Sequence, residues 1–295
     1  MRSRPKKKTN RRSTASSVKG RISHWGKTDV GLKREVNEDF FLADANLNLY
    51  IVADGMGGHA GGDTASRMAV ETIREKISQA KDSDGLFVRG AVLNESPAIL
   101  KVLDEAVRTA SAAIFEASQS NPELEGMGTT TTLMLTHGKR AYVAHVGDSR
   151  LYQFKNSIFS QVTEDHSLVN EQIKAGFITP EEALHSRFRN IITRSVGFES
   201  QVTADTFSFA MKSGDVYLLC SDGLNGMISD EKMGKTLRRG KLSTVPTRLV
   251  AAANQNGGDD NITVLVIQYG KTVRKDRRNS SARAGGARRS SKKRK

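Results

Sequence analysis

Leu49, Tyr50, Ile51, Val52 and Ala53 form an unbroken apolar run, too short for a buried helix and rich in β-forming types, which predicts a strand covered on both faces. Phe40, Phe41 and Leu42 predict its hairpin partner across a turn at Ala45–Asn46. Further strands are predicted over Ser23–Gly31, Thr129–Thr136, Arg140–Val146, Arg150–Phe154, Ile158–Val162, Thr203–Phe209, Asp215–Cys220 and Asn261–Tyr269. Those between 129 and 162, broken by turns at His137–Gly138 and Lys155–Asn156, read as an antiparallel meander. Apolar residues recur at helical spacing in Ala65, Met68, Ala69, Ile73 and Ile77, and again in Leu100, Leu103, Val107, Ala110 and Ile114. They predict long amphipathic helices over Gly61–Lys81 and Ala98–Ala117, with Asp82–Pro97 as a loop, and shorter ones over Leu168–Ala175, Pro180–Leu184 and Val245–Asn256. Strands and helices do not alternate strictly, so the fold class is α+β, an antiparallel layered domain rather than a doubly wound sheet.

Acids punctuate this pattern. Asp54 ends the first buried run, Asp148 and Asp222 end two later ones, and Asp260 stands just before the last. Gly55, Gly57, Gly58, Gly61 and Gly62 follow Asp54 and let the chain turn tightly with a bare carbonyl toward a ligand; a glycine turn with a capping aspartate is the alternative. The predicted hairpin brings Glu38 and Asp39 beside Asp54. An acid closing a buried run is costly to desolvate unless something positive meets it. The donors are oxygens, with neither paired histidines nor thiolates, which favours Mg²⁺ or Mn²⁺ over zinc. Two such ions sharing carboxylates acidify a bridging water and clamp an in-line displacement, the chemistry of phosphoester hydrolysis. Arg34, four residues before Glu38, has the guanidinium fork for phosphate oxygens, against the plainer reading of a surface pair with Glu35 or Glu38. Asp148 has a turn cap as its alternative. His24, His137, His145, His166 and His185 show no ligand spacing and read as structural or solvent-facing, and Cys220, inside an apolar run, reads as an inert core thiol.

Charge divides the chain further. Residues 1–21 hold nine Lys or Arg and no acid, and residues 271–295 hold twelve against Asp276, so the two arms carry +9 and +11 of a net +14 and leave −6 on residues 22–270. The arms read as disordered basic segments around one folded domain of 22–270. Their charge offers a second function class, binding to nucleic acid or anionic surfaces, with Ser280, Ser281, Ser290 and Ser291 placed to tune it by phosphorylation. A single cysteine excludes a disulfide framework, and no apolar run approaches the ~20 residues of a membrane helix, so a cytoplasmic protein with no transmembrane segment is expected.

Taken in order, Arg34-Glu-Val-Asn-Glu-Asp39, Asp54-Gly-Met-Gly-Gly58, Gly128-Thr-Thr130, Gly147-Asp-Ser-Arg150, Ser221-Asp-Gly223 and Gly258-Asp-Asp-Asn-Ile262 resemble the signature motifs of the metal-dependent protein phosphatases, the type 2C Ser/Thr phosphatases, in their bacterial branch. The resemblance covers about residues 23–269. It implies a four-layer α-β-β-α fold, a central β-sandwich of two antiparallel sheets flanked by helix pairs, with Asp165–Gly197 as the flap beside the cleft. It implies that Asp54 bridges two Mn²⁺ or Mg²⁺ ions, that Glu38 and the Gly55 carbonyl serve one and Asp222 and Asp260 the other, and that Asp39 orders water. Asp148 with Asp222 matches a weaker third site, while Thr130 and Asn261 are support. The implied substrates are proteins phosphorylated on Ser or Thr, and the implied counterpart is a Ser/Thr kinase; a catalytically weak scaffold is the alternative. Members with His directly after the first Asp-Gly use it as general acid, but Met56 stands there in this chain, leaving His59 or a metal-bound water as the candidate donor.

Overall fold

The computed structural model describes residues 22–57, 61–83 and 95–270. In chain order its strands are β1 (Ile22–Asp29), β2 (Asp39–Asp44), β3 (Leu49–Met56), β4 (Gly128–Thr129), β5 (Thr131–His137), β6 (Arg140–Val146), β7 (Arg150–Lys155), β8 (Ile158–Gln161), β9 (Asp205–Ala210), β10 (Val216–Cys220) and β11 (Ile262–Tyr269). Its helices are α1 (Gly61–Ser83), α2 (Glu95–Ser120), α3 (Leu168–Lys174), α4 (Pro180–Leu184), α5 (Asp222–Asn225), α6 (Asp230–Arg238) and α7 (Val245–Gln255). One sheet runs β1-β11-β10-β7-β8 and the other β2-β3-β5-β6-β9, with β4 on the end of β3, and every strand pair is antiparallel.

Strand periodicity explains why β3 is apolar throughout. Alternate residues point to opposite faces. Leu49, Ile51 and Ala53 enter the core under α1 and α2 with Ile73, Leu103 and Ile114, whereas Tyr50 and Val52 face the other sheet with Leu219, Leu265 and Ile267. In β11, Ile262, Val264 and Val266 pack beneath Leu224 of α5, Leu237 of α6 and Leu249 of α7, while Leu265 and Ile267 turn inward. The result is the α-β-β-α sandwich. Each fully buried Leu or Ile contributes about 1.5–3 kcal/mol, so the layers are held by many equivalent contacts rather than one.

Two expectations are corrected and one helix is new. The strand does not end with the apolar run at Ala53: β3 continues to Met56, because Gly55 and Met56 pair with Thr129 and Gly128. The meander between 129 and 162 is split, since β5 pairs β6 in one sheet and β7 pairs β8 in the other. Gly147, at φ +106°, makes the turn between the sheets. Helix α6 went unpredicted because only Met233, Gly234 and Leu237 of its nine residues are buried, too few for an apolar stripe. The long helices form where predicted but run further, α1 to Ser83 and α2 from Glu95 to Ser120, so both ends of the expected Asp82–Pro97 loop are helical. Both basic arms and His59 lie outside the described residues.

Candidate metal centre

The β2–β3 hairpin sets the first pair of acids. Asp44 Oδ1 accepts from the amides of Asn46 and Leu47, and Asn48 takes φ +55°, fixing a turn that brings Asp39 directly opposite Asp54. Like charges across a strand pair are destabilising, so this register needs another reason. Asp54 is pinned on both sides of its backbone: its N–H donates to Thr130 Oγ1 at 3.0 Å, and its carbonyl accepts from Thr130 N at 2.8 Å and Thr129 Oγ1 at 2.9 Å. Asp39 is reached from the opposite sheet, where Ser221 Oγ donates to its Oδ2 at 2.7 Å and accepts from Thr263 N at 2.9 Å.

The second group hangs on one asparagine. Asn261 Oδ1 accepts from Glu38 N at 2.8 Å, and its Nδ2 donates to the carbonyls of Val30 and Val36, both at 2.9 Å. Its own N–H donates to Asp260 Oδ1 at 2.8 Å. Asn261 thereby supports Asp260 and also gathers the loop that delivers Glu38. Glu38 continues into Gly55, whose N–H donates to its carbonyl at 3.1 Å. A Cβ at Gly62 would collide with the Glu38 carboxylate, so that acid lies against the N-terminus of α1, where the helix dipole favours negative charge. A Cβ at Gly55 would strike the Gly62 carbonyl, which explains why this position is bare. Arg34, half exposed, reaches over the cleft to Asp260 Oδ2 at 2.8 Å and stands 4.0 Å from Glu38. Its principal partner is thus neither of the neighbours of the plainer surface-pair reading.

Asp148 follows the Gly147 turn. Thr130 Oγ1 hydrogen-bonds Ser149 Oγ at 2.8 Å, tying this turn to the Asp54 strand. His166 holds it from the flap side: its Nδ1 accepts from Gly147 N at 3.1 Å, leaving Nε2–H to donate to Asp205 Oδ2 at 3.1 Å. His145, fully buried beside it, bonds Thr132 Oγ1 and the Glu164 carbonyl. Burial, then the neighbouring His166, pushes the His145 imidazole down to about 4. Both histidines are structural, as expected, yet they brace the flap base. Arg150 forks onto both oxygens of Asp165, the flap's first residue.

Electrostatics report the convergence independently. Burial, followed by Asp39, Asp222, Asp148 and Asp260, drives the Asp54 carboxyl well above the ordinary range. Burial likewise raises Asp39 to about 7, opposed by hydrogen bonding from Thr263 and Ser221 and reinforced by Asp222 and Asp260. Asp222 rises to about 6 by burial and then Asp260, and Asp148 to about 8 by burial and then Asp222. Asp54 and Asp148 keep some solvent-facing surface while ringed by protein, as acids on a cleft floor do. Oδ1 of Asp39 and Oδ1 of Asp222 are buried with no hydrogen-bond partner. Acids so placed call for a cation. Among the described residues no three His, Cys, Asp or Glu side chains are closed around one point as a finished cage. The donors gathered here are oxygens, which fit hard divalent ions such as Mg²⁺ or Mn²⁺.

The structure brings together Arg34, Glu38, Asp39, Asp54, Gly55, Thr130, Asp148, Asp222, Asp260 and Asn261. Sequence reasoning named Ser221 only as part of the Ser221-Asp-Gly223 motif and His166 only as structural or solvent-facing; it missed the bond of Ser221 to Asp39 and the hold of His166 on the Gly147 turn.

Comparison with known proteins agrees. The family model described as Protein phosphatase 2C matches residues 33–261. A Serine/threonine phosphatase stp of Listeria monocytogenes is 37% identical over 246 residues, covering 82% of this chain and 94% of that one. The crystal structure of the Mycobacterium tuberculosis serine/threonine phosphatase PstP/Ppp superposes with a TM-score of 0.76 at 35% identity, over 85% of this chain and 99% of that one. The PstP catalytic domain in complex with two manganese ions gives 0.72 at 35% identity, again over 85% and 99%. With the family model spanning most of the folded residues and relatives more than a third identical along them, the chain belongs to the protein phosphatase 2C family.

Proposed function

We propose that this family member is a metal-dependent protein Ser/Thr phosphatase, hydrolysing phosphoserine and phosphothreonine by in-line attack of water without a covalent enzyme intermediate. Asp54, Glu38 and the Gly55 carbonyl would hold one divalent ion, Asp54, Asp222 and Asp260 a second, and Asp148 with Asp222 a weaker third. Mn²⁺ or Mg²⁺ there supplies the positive charge that acidifies water and offsets charge developing on the phosphoryl oxygens. Asp39, held by Ser221 with its other oxygen unpartnered, is placed to orient the attacking water and draw on its proton. Arg34, which rests against Asp260 Oδ2 at 2.8 Å, would bind the substrate's outer phosphate oxygens with its fork. The single observation that supports the reading most is the set of buried acids that raise one another's pKa around two orphaned Oδ1 atoms.

The natural counterpart is a Ser/Thr kinase, and we place the protein in the cytoplasm; no described helix is long and apolar enough to cross a membrane. The test is release of phosphate from a phosphothreonine peptide with Mn²⁺, with EDTA, and with Asp222→Ala. Mn²⁺-dependent turnover lost in both controls is expected. A purified protein that binds the peptide but turns over neither it nor a small phosphoester would instead be the scaffold.

A further inference from the structure

Gly147, Asp148, Ser149 and Arg150 form the turn by which the chain leaves one sheet and enters the other. Both ends of this turn are fastened to consecutive residues at the root of the flap. At its start, Gly147 N donates to His166 Nδ1 at 3.1 Å and the Gly147 carbonyl accepts from His166 N at 2.8 Å. At its end, the Arg150 fork closes on Asp165, with Nε 2.9 Å from Oδ1 and Nη2 2.6 Å from Oδ2. Asp148 lies between the two fastenings. Its turn and the flap root therefore form one mechanical unit, and whatever orients Arg150 orients both.

Arg150 is oriented from the helix layer. Residues two apart on a strand share a face, so Arg150 and Tyr152 stand together on the side of β7 that packs under α5, α6 and α7. Arg150 Nη1 donates to Tyr152 Oη at 2.9 Å, and Tyr152 Oη donates in turn to Asp230 Oδ1 at 3.0 Å. Asp230 is the first residue of α6. The Tyr152 ring is fully buried and stacks on Phe159, with centroids 4.6 Å apart and planes 12° apart. Helix α6 presses onto Phe159 from outside, since a Cβ at Gly234 would come within 2.9 Å of the Phe159 Cβ. A phenylalanine at 152 would stack as well. The hydroxyl is what joins the layers, because it can accept from a guanidinium and donate to a carboxylate at once.

We propose that Tyr152 and Asp230 are positioning residues: the hydrogen-bond chain from α6 through Tyr152 and Arg150 to Asp165 sets the flap root and the Asp148 turn together. The consequence for Asp148 deepens the third-ion reading and rests on it; the consequence for the flap does not. Loss of the hydroxyl takes one partner from Arg150 Nη1 and one from Asp230 Oδ1 and leaves the guanidinium fastened at the Asp165 end alone.

The test compares the full-length protein with Tyr152→Phe, Asp230→Ala and Asp230→Asn. Tyr152→Phe keeps the ring and its stacking, and Asp230→Asn keeps an acceptor for the hydroxyl. In the metal-free protein, hydrogen exchange over segments 147–150 and 165–170 should run about fivefold faster in Tyr152→Phe and in Asp230→Ala. Exchange in β3 should be unchanged, and Asp230→Asn should stay near the parent rate at every segment. Calorimetric titration with Mn²⁺ should show the weakest class of sites binding about tenfold less tightly in the first two variants, with tighter classes unaltered. A lower Tm with no change of exchange at these two segments would reduce Tyr152 to a core residue and overturn the proposal, as would Asp230→Asn behaving like Asp230→Ala. Faster exchange at the flap root with unaltered weak Mn²⁺ binding would overturn the joint positioning. A parent protein with no weak class of sites would sink the third-ion reading alone, and the exchange rates would still decide. Expected exchange and Mn²⁺ shifts in a protein that turns over no phosphopeptide would support the chain and sink only the phosphatase reading.

Discussion

Asp54 and Asp148 lie at the same end of the molecule but are held differently. Asp54 sits inside a strand ladder, its backbone bonded on both sides to Thr129 and Thr130. Asp148 rides a glycine turn whose amide and carbonyl both bond to His166, at the base of a flap that exposes Phe177, Leu184 and Ile191. A group on a strand is placed by many cooperating hydrogen bonds, whereas one on a turn inherits whatever freedom the neighbouring segment has. On the proposed assignment, the two-ion core would draw on the strand-held Asp54 and the third site on the turn-held Asp148.

The sharpest way to break this comparison is to delete both acids in turn. Asp54→Asn should cost about a thousandfold in kcat/KM on a phosphopeptide, several kcal/mol of charge stabilisation. It should at the same time raise the Tm of the metal-free protein, because a carboxylate held far above its ordinary pKa by burial is removed. Asp148→Asn should cost far less, about ten- to a hundredfold, and should appear mainly as a higher Mn²⁺ requirement. Equal losses for the two would abolish the distinction. Asn261→Ala comes next: it strands the Val30 and Val36 carbonyls and the Glu38 amide, and should destabilise the fold by about 2–3 kcal/mol while weakening metal affinity about tenfold or more.

A pH series refines the comparison. Asp222, Asp39 and Asp148 titrate near 6, 7 and 8 in the metal-free fold against about 3.8 in the open chain. A raised carboxylate favours folding while protonated, so its contribution is full below pH ~4 and is lost as pH rises through 6 to 8. Buried His145 works in the other direction: depressed to about 4, it favours folding above ~6.5 and loses that contribution on acidification. The histidine part is common to metal-free and loaded protein. Subtracting the two Tm profiles should leave a gap that widens from pH 5 to 8, and a constant gap would mean the acids do not bind the ions. The smallest effect should come from Phe177→Ser on the flap, changing KM for a phosphopeptide about two- to fivefold while sparing a small phosphoester.

The buried strand β3 and its acid were legible because covered strands and punctuating carboxylates leave a one-dimensional trace. The hairpin turn was legible too, which placed Asp39 beside Asp54 correctly. Which sheet β7 and β8 would join was not, since alternation reports two apolar faces without naming what covers them. Asn261 shows the same limit. Its role as a clasp on residues 30–38 depends on a partner more than two hundred positions away, and no local pattern carries that. Ser221 bridges two sheets through one hydroxyl, a role that its place in the Ser221-Asp-Gly223 motif does not reveal.

The pairing of β1 with β11, clasped by Asn261, also orders events during synthesis. A chain still on the ribosome before residue 261 emerges has Glu38, Asp39 and Asp54 but neither Asp260 nor the clasp that seats Glu38. Contacts of such sequence separation form late. The cluster of acids around Asp260 and the seated Glu38 therefore cannot be complete until residue 261 has joined the fold.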